Sequence, residues 1–304
     1  MNKSTPPMFE RVAFIGIGLI GSSLARVMRR DGLAGHITVT ARTQDTLDKV
    51  VELGLADHVT VDPVEAVVDA DLVMICTPLG AYASVAKTIG PHIKPGAIVS
   101  DVGSAKKCVF RDVAPHLAAG VHLVPGHPVA GTEHSGPESG FAELFKDRFC
   151  IITPAPDADQ DIVGKITELW RTAGMNVEIM DADHHDKVLA ITSHLPHLIA
   201  YTIVDTASQL GDDLKQEIFK YSASGFRDFT RIAASDPVMW RDIFIENSDA
   251  VLEMLGRFDE DLTTLKRAVR QHDGQTLQDV FTRTRSVRRS IIDAKQHTPE
   301  DQKT

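Results

Sequence analysis

The chain has 304 residues, of which 43% are hydrophobic and 24% are charged, which excludes collagen-like, intrinsically disordered and disulfide-scaffold proteins. The formal net charge is −10 and the basic residues are scattered, which argues against a nucleic-acid-binding or anionic-membrane surface. Three cysteines, Cys76, Cys108 and Cys150, lie far apart without a C-x-x-C pair, as is typical of a reducing compartment. Neither a signal peptide nor a window of ~18 apolar residues is evident, so we expect a cytoplasmic protein.

From Arg11 to about Met180, short apolar runs alternate with longer segments of helical spacing. The candidate strands are VAFIGI, HITVT, DLVMICTP, AIVSDVG, VHLVPG, RFCIITP and NVEIM. Strands that are apolar throughout are typical of a parallel sheet covered by helices on both faces. The sequence therefore predicts an α/β fold, with a doubly wound domain over residues 1–180.

A G-x-G-x-x-G motif, formed by Gly16, Gly18 and Gly21, follows the first predicted strand directly and precedes a helical pattern. In dinucleotide-binding loops the first glycine permits a tight turn, the second lets the backbone approach the pyrophosphate, and the third allows close packing of helix and strand. The N–H groups at the start of the helix then face the phosphates. We therefore predict a Rossmann-type domain over residues 1–180 that binds NAD or NADP through these glycines, with Leu19 and Ile20 between the second and the third.

The end of the second strand bears on the choice of dinucleotide. NAD sites usually carry Asp or Glu there, but HITVT is followed by Ala41-Arg42-Thr43, with no carboxylate before Asp45. A guanidinium suits a 2′-phosphate, so Arg42, with Thr40 or Thr43, favours NADP over NAD. The alternatives for Arg42 are stacking on adenine and exposure to solvent.

Two further strand ends point to the same cleft, because ligands gather at the carboxyl ends of parallel strands. We expect Thr77-Pro78 and Asp101-Val102 to line the nicotinamide half, together with Ser104. An ordinary turn remains the alternative for Thr77-Pro78.

The next strand, VHLVP, is followed by GHPVAGTEHSG, which the glycines and prolines predict to be a loop. His127 lies in this segment, directly beyond the strand, where catalytic side chains are often presented. With an unperturbed pKa near ~6.5, a histidine can accept a proton from an alcohol at neutral pH. We therefore assign His127 as the general base, against the alternative of a solvated loop histidine.

After Asp181 the strand-like runs end and helical spacing takes over, which predicts an all-α domain over residues 181–304. Asp183 is the predicted N-cap of its first helix. Adjacent histidines make a poor chelate, so we assign His184 and His185 to a solvated helix start and expect no metal site. Amphipathic helices near the end predict a homodimer through residues 181–295, and packing within one subunit is the alternative.

The segment ITSHLPHLIAY places Ser193 and His197 on one helix face, with Pro196 expected to kink the helix. We expect both residues to line a pocket, against the alternative of a polar helix side that meets solvent. His194 projects elsewhere and is assigned to solvent. Further on, SASGFRDFTRIAASDPVMWRDIF offers Arg227 or Arg231 as a bidentate clamp for a carboxylate substrate. Spacing does not choose between the two arginines, and a surface salt bridge, for instance with Asp228 or Asp236, is the alternative for each.

The ordered set GIGLIGSSLA, SDVGSAK, PGHPVAGTEHSG, ITSHLPHLIAY and SGFRDFTRIAASDPVMWRDIF resembles the prephenate/arogenate dehydrogenase family, the cyclohexadienyl dehydrogenases of tyrosine biosynthesis. The likeness runs from about Val12 to about Ile292. It implies oxidation of the ring alcohol of prephenate or arogenate, with loss of the ring carboxylate as CO2. The products would be 4-hydroxyphenylpyruvate or tyrosine and the reduced cofactor, without a metal.

The resemblance also implies residue roles. His127 would deprotonate the ring hydroxyl, Ser104 would hydrogen-bond it, and Arg231 rather than Arg227 would bind the substrate. Tyrosine, as a competing ligand, could contact His197. The other residues assigned to the substrate are Ser193, Thr132 and Glu133.

Two rival functions remain as alternatives. A β-hydroxyacid dehydrogenase shares the order of domains, but its catalytic Lys is followed four residues later by Asn, whereas Lys187 here is followed by Ile191. A non-catalytic NAD(P)-sensing regulator would need a partner-binding or DNA-binding element, and the sequence shows no basic recognition helix.

Overall fold

The computed structural model describes residues 6–132, 134–210, 220 and 223–293. A sheet of six short strands forms the centre of the first half. Its strands are β1 (Phe9–Ile15), β2 (Ala34–Thr40), β3 (His58–Thr60), β4 (Leu72–Ile75), β5 (Ile98–Asp101) and β6 (His122–Leu123). All of its pairings are parallel, and the order β3-β2-β1-β4-β5-β6 is that of dinucleotide-binding sheets. The predicted doubly wound α/β fold is confirmed.

Helices cover both faces of this sheet. They are α1 (Leu19–Asp31), α2 (Gln44–Glu52), α3 (Pro63–Val67), α4 (Tyr82–Ile89), α5 (Lys107–Asp112) and α6 (Gln160–Thr172). Alternate residues of the central strands enter separate cores, because successive side chains of a strand point to opposite faces. Phe14 and Met74 pack with Leu24 on one side. On the other side, Ile15 and Val73 are among the residues that pack together.

A second sheet follows the first along the chain. It consists of β7 (Gly126–Val129), β8 (Phe149–Ile152) and β9 (Asn176–Ile179), with β7 antiparallel and β9 parallel to β8. His127 therefore lies in a strand, opposite Ile151, and not in the predicted loop. The glycine and proline in GHPV suggested a turn, but pairing with β8 outweighs that local preference.

Beyond residue 180 the described residues form helices and turns, as predicted. These are α7 (Ala182–Leu189), a π-helical turn (Ala190–His194), α8 (Leu195–Ser208), α9 (Ser224–Thr230), a 3-10 turn (Arg231–Ala234), α10 (Pro237–Glu246), α11 (Ser248–Arg270) and α12 (Gly274–Asp293). The N-cap of α7 is Asp181, whose side chain accepts from the N–H of His184 at 2.8 Å. Asp183, predicted as the cap, instead pairs with Lys187 one turn later.

The chain forms two compact units, residues 1–251 and 252–304. Both sheets and helices α7 to α10 belong to the first unit. One segment in that unit, Ala182–Ser208, is long and apolar enough to pass a length and composition test for a membrane span, with a mean hydropathy of 1.2. This corrects the expectation from the sequence that no stretch approaches the ~18 apolar residues of a membrane-spanning helix. Core helices can have the same length and composition, and this segment buries the polar side chains of His185, Asp186 and His194.

Candidate active site

The three glycines of the loop between β1 and α1 have separate structural roles. Gly16 has φ +84°, and a Cβ there would lie 3.1 Å from the backbone of Cys76. A Cβ on Gly21 would lie 3.2 Å from the Cys76 side chain, so this glycine lets α1 approach the end of β4. Gly18 has nothing within 4 Å of an added Cβ. The loop therefore combines a forced turn, a tight helix contact and an open approach to the backbone.

The start of α1 fits an anionic ligand. The first hydrogen bond of its ladder runs from Ser22 N to the Gly18 carbonyl oxygen at 2.9 Å, so the N–H groups of Leu19, Ile20 and Gly21 precede the ladder. Such N–H groups and the helix dipole bind phosphates. Beside Gly16, the buried hydroxyl of Thr77 has no hydrogen-bond partner among the described residues. These features fit a bound dinucleotide; Pro78 then begins the turn into α4.

The end of β2 presents a cation. Thr40 is buried, and its carbonyl oxygen accepts from Gly16 N at 2.9 Å. The Thr43 hydroxyl caps α2 by accepting from Thr46 N at 3.4 Å. Arg42 is exposed between them. This strand end thus offers a solvent-facing guanidinium where many NAD sites carry a carboxylate.

Asp101, at the end of β5, lies beneath the site, not on its surface. Its Oδ2 atom accepts from Tyr82 OH at 2.9 Å, Gly103 N at 2.8 Å and Lys106 Nζ at 2.5 Å. The side chains of Asp101 and Lys106 are 1% and 0% exposed. Lys106 Nζ also donates to the Gly126 carbonyl oxygen at 2.7 Å. The half-buried Val102 and Ser104 lie between these anchored residues, so their loop is tied to β7, the strand of His127.

His127 is buried, and its Nδ1 atom lies 2.8 Å from Nε2 of His185. The two rings meet edge to face with centroids 5.1 Å apart. His185 Nδ1 in turn lies 2.8 Å from Asp186 Oδ1. Burial, with the nearby His185, Lys106 and His194, holds the pKa of His127 well below its ordinary value. The imidazole is therefore neutral and able to accept a proton.

A third buried histidine, His194, joins His127, His185 and Asp186 in what we call the histidine cluster. Asn247 Nδ2 donates to the Asp186 carbonyl oxygen at 2.9 Å and lies 3.0 Å from His194 Nδ1. Burial lowers the pKa of His194 to about 4. The assignments of His185 and His194 to solvent were wrong, since both are 0% exposed. The π-helical turn adds a residue per turn, which shifts the buried face relative to the regular helix that the sequence suggested.

His197 lies where the π-helical turn passes into α8, with Pro196 in the first turn of that helix. Its Nδ1 donates to the Ser193 carbonyl oxygen at 2.8 Å, and its ring stacks on Trp240 with centroids 3.6 Å apart. Burial lowers the pKa of His197, and the charge of Arg231 lowers it further. A neutral His197 with a proton on Nδ1 keeps Nε2 as an acceptor.

Both candidate clamp arginines are exposed, but they act on different neighbours. Arg231 begins the 3-10 turn after α9 and acts electrostatically on His197. Arg227 lies 3.5 Å from Asp228, and both side chains are largely exposed. Thr132 is exposed and accepts from His134 N at 3.2 Å, whereas Glu133 lies outside the described residues.

Several buried residues of the cluster escaped the sequence analysis. One signal was available, because His185 precedes Val188 by three residues and so extends the apolar stripe of that helix. The others join the cluster only through contacts distant in sequence, such as the bond from Lys106 N to Asp186 over 80 positions. The residues missed are Lys106, His185, Asp186, His194, Trp240 and Asn247.

Comparison with known families gives two matches, which together span most of the chain. Residues 24–179 match the model described as prephenate dehydrogenase, nucleotide-binding domain. Residues 181–283 match the model described as prephenate dehydrogenase, dimerization domain.

Individual relatives agree with these matches. The chain is 39% identical to a cyclohexadienyl dehydrogenase from Zymomonas mobilis, over 93% of this chain and 97% of the relative. It resembles the crystal structure of prephenate dehydrogenase from Aquifex aeolicus in complex with hydroxyphenyl propionate and NAD+, with a TM-score of 0.85 and 33% identity over 96% and 100% of the two chains. A Synechocystis arogenate dehydrogenase matches with a TM-score of 0.77 and 26% identity over 92% and 99% of the two chains.

Proposed function

This chain belongs to the prephenate dehydrogenase family, and we propose that it oxidises the ring alcohol of prephenate or arogenate at a site centred on His127. It is an oxidoreductase that uses NAD or NADP and releases the ring carboxylate as CO2. The products are 4-hydroxyphenylpyruvate from prephenate and tyrosine from arogenate. The observation that carries this assignment is the buried, neutral His127, held at Nδ1, in the same compact unit as the glycine loop.

The residues of the cluster have distinct tasks in this reaction. His127 accepts the proton of the ring hydroxyl through Nε2, because Nδ1 is engaged with His185. Ser104 hydrogen-bonds the same hydroxyl and orients it. The bound dinucleotide supplies the hydride acceptor. Loss of CO2 leaves an aromatic ring, so the protein mainly positions the reactants and accepts one proton.

A second set of residues, separate from His127 and Ser104, binds the carboxylate and the side chain of the substrate. Arg231 provides a permanent charge for a carboxylate. The acceptor atom of His197 suits the ammonium of arogenate, a donor that the side chain of prephenate lacks. Tyrosine presents the same side chain as arogenate and competes for these contacts. Ser193, Thr132 and Glu133 complete the assigned set.

The cofactor occupies the loop and the neighbouring strand ends. Gly16, Gly18, Leu19, Ile20 and Gly21 bind the pyrophosphate. Arg42, with Thr40 or Thr43, binds the 2′-phosphate of NADP, and its exposure at the end of β2 supports this preference. The nicotinamide end is assigned to Thr77, Pro78, Asp101 and Val102, with Asp101 acting from beneath through its loop.

The two functional domains divide at residue 180, with cofactor binding in residues 1–180 and substrate binding and dimerisation in residues 181–304. Large apolar side chains are exposed in both compact units, including Ile245 at 61% and Phe281 at 56%, as expected of an interface. The homodimer forms through residues 181–295. Sedimentation velocity tests this, since a Phe281→Glu variant should shift the mass towards the monomer, and a monomeric parent protein would refute the dimer.

The thiols support a reducing location. Cys76, Cys108 and Cys150 are free, and burial raises the pKa of Cys108 to about 12. Thiols of this kind are slow to oxidise. We place the protein in the cytoplasm, where fractionation should find it.

A two-by-two assay tests the function. Prephenate and arogenate are each combined with NAD+ and NADP+, and both the reduced cofactor and CO2 are followed. Activity in any combination supports the assignment, and the pattern resolves the side-chain and cofactor preferences. Failure of all four, with cofactor binding shown by calorimetry, would leave a non-catalytic dinucleotide-binding protein.

A further inference from the structure

We propose that His185 and Asp186 are positioning residues that fix the tautomer of His127, so that Nδ1 carries the proton and Nε2 faces the substrate as a free base. This inference rests on the proposed function of His127 and assigns roles to two residues that contact neither substrate nor cofactor in that proposal. The geometry behind it is the chain from His127 Nδ1 to His185 Nε2 and from His185 Nδ1 to Asp186 Oδ1, each step 2.8 Å long.

Asp186, at the far end of this row of hydrogen bonds, determines which atom donates in each of them. Asp186 Oδ1 faces the N–H of Lys106 at 2.8 Å, and Oδ2 faces the N–H of Lys107 at 3.0 Å. Both oxygens therefore act as acceptors, and the proton in the next hydrogen bond belongs to His185 Nδ1. A neutral His185 then has a lone pair on Nε2 and can only accept. His127 must donate from Nδ1, which leaves Nε2 without a proton.

Burial supports the neutral form of His185 that this argument needs. Its side chain is 0% exposed, and burial lowers its pKa even though Asp186 acts in the opposite direction. A doubly protonated His185 would donate to both neighbours and would force the wrong tautomer on His127. The neutral ring thus carries the orienting effect of Asp186 across to β7.

The same chain stabilises the product of proton transfer. When the ring hydroxyl gives its proton to Nε2, His127 becomes an imidazolium in a buried site. The charge of Lys106, which opposes this, is balanced by Asp101 at 2.5 Å. Asp186 ends the row of hydrogen bonds that begins at His127. Its negative charge stabilises the imidazolium through the polarised ring of His185. The groups that act on the two rings are Lys106, His194, Asp101 and Asp186.

The decisive measurement is the tautomer of His127. In protein labelled with ¹⁵N-histidine, long-range proton–nitrogen correlation at neutral pH distinguishes an Nδ1–H ring from an Nε2–H ring, and loss of the signal in His127→Asn assigns it. We expect the Nδ1–H form in the parent protein. The Nε2–H form would overturn the proposal directly and needs no activity assay.

Two substitutions of His185 have opposite expectations. His185→Gln places its amide near the position of Nε2; Asp186 attracts the NH2 group, and the amide oxygen accepts from His127. This variant should keep the Nδ1–H tautomer of His127, and its kcat should stay within about tenfold of the parent value. His185→Asn is shorter and leaves His127 Nδ1 without an acceptor. It should lose the tautomer and lower kcat about 10²-fold to 10³-fold, in line with the ~10⁴-fold loss when a tautomer-setting carboxylate is replaced in Ser-His-Asp enzymes.

Further readouts separate positioning from structure. His184→Asn is the matched control, because His184 is the exposed neighbour on the same helix and should keep full activity. KM and the cofactor Kd should stay within about twofold of the parent values in all three variants. Only His185→Asn should shift the acid limb of the pH profile of kcat/KM. Rescue by Gln and not by Asn would not follow from a packing defect.

The outcomes distinguish two failures. A parent protein that is inactive in the two-by-two assay refutes the proposed function, while its ¹⁵N spectrum still decides the tautomer. An active parent protein whose His185→Asn variant keeps kcat and the Nδ1–H form overturns the positioning role. If circular dichroism shows that His185→Asn fails to fold, the parent spectrum and His185→Gln decide the question.

Discussion

The glycine loop and the hydrogen-bonded group around His127, His185 and Asp186 use their polar atoms in opposite ways. At the start of α1, three backbone N–H groups precede the helix ladder, and Thr77 keeps a buried hydroxyl without a described partner. Around His127, by contrast, hydrogen bonds link Asp101, Lys106 and Asp186 into one network. Unused donors suit the binding of an anion, whereas committed donors suit the orientation of a base. The molecule therefore uses separate regions to bind the cofactor and to position the base.

Removal of the base should break this separation most severely. In His127→Asn the side chain can still hydrogen-bond but cannot accept a proton at neutral pH. We expect kcat to fall about 10²-fold to 10⁴-fold, the range that one acid–base group contributes. The Kd of the cofactor should change little, because the glycine loop is untouched. Near-normal turnover, measured with saturating substrate, would show that the base lies elsewhere.

The buried ion pair tests the network as a structural unit. Lys106→Met keeps the side-chain volume but leaves the carboxylate of Asp101 buried without its cation. The free energy of unfolding should fall by about 3–5 kcal/mol, as it does when one partner of a buried pair is removed. Urea unfolding followed by circular dichroism gives this value.

Its control is the double variant Asp101→Asn with Lys106→Met. Removal of the lone charge should recover part of the lost stability. A loss below about 1 kcal/mol in the single variant would mean that water reaches the carboxylate and that the pair is not a structural anchor.

The same contrast explains what could be predicted from the sequence. The glycine loop depends on residues within one turn of each other. Apolar runs marked seven of the nine strands among the described residues, and helical spacing marked the helical second half. His127 and His185 are 58 positions apart, and their contact depends on β7 joining a second sheet. No local pattern encodes that pairing. The π-helical turn further changed which face of the helix is buried, so His194 could not be placed by regular helical spacing.

The substrate clamp offers a comparison within one segment. Arg231 acts on His197, while Arg227 is an exposed partner of Asp228. Arg231→Ala should raise KM about tenfold to 10²-fold with little change in kcat, because a charge-assisted hydrogen bond to a carboxylate contributes ~1.5–3 kcal/mol. Arg227→Ala should change KM by less than about twofold, since exposed pairs contribute little. Equal effects of the two substitutions in initial-rate assays would remove the distinction.

The smallest effect is expected at the edge of the cofactor site. Arg42 is exposed at the end of β2, so its contact with a 2′-phosphate is weakened by solvent screening. Arg42→Ala should therefore raise the Kd of NADP by only about tenfold and leave the Kd of NAD within about twofold. Fluorescence titration of both cofactors on the same preparation measures the ratio, and the NADP effect should shrink as salt is added. If both Kd values rise together, Arg42 stacks on the adenine, and cofactor preference is set by other residues of the loop.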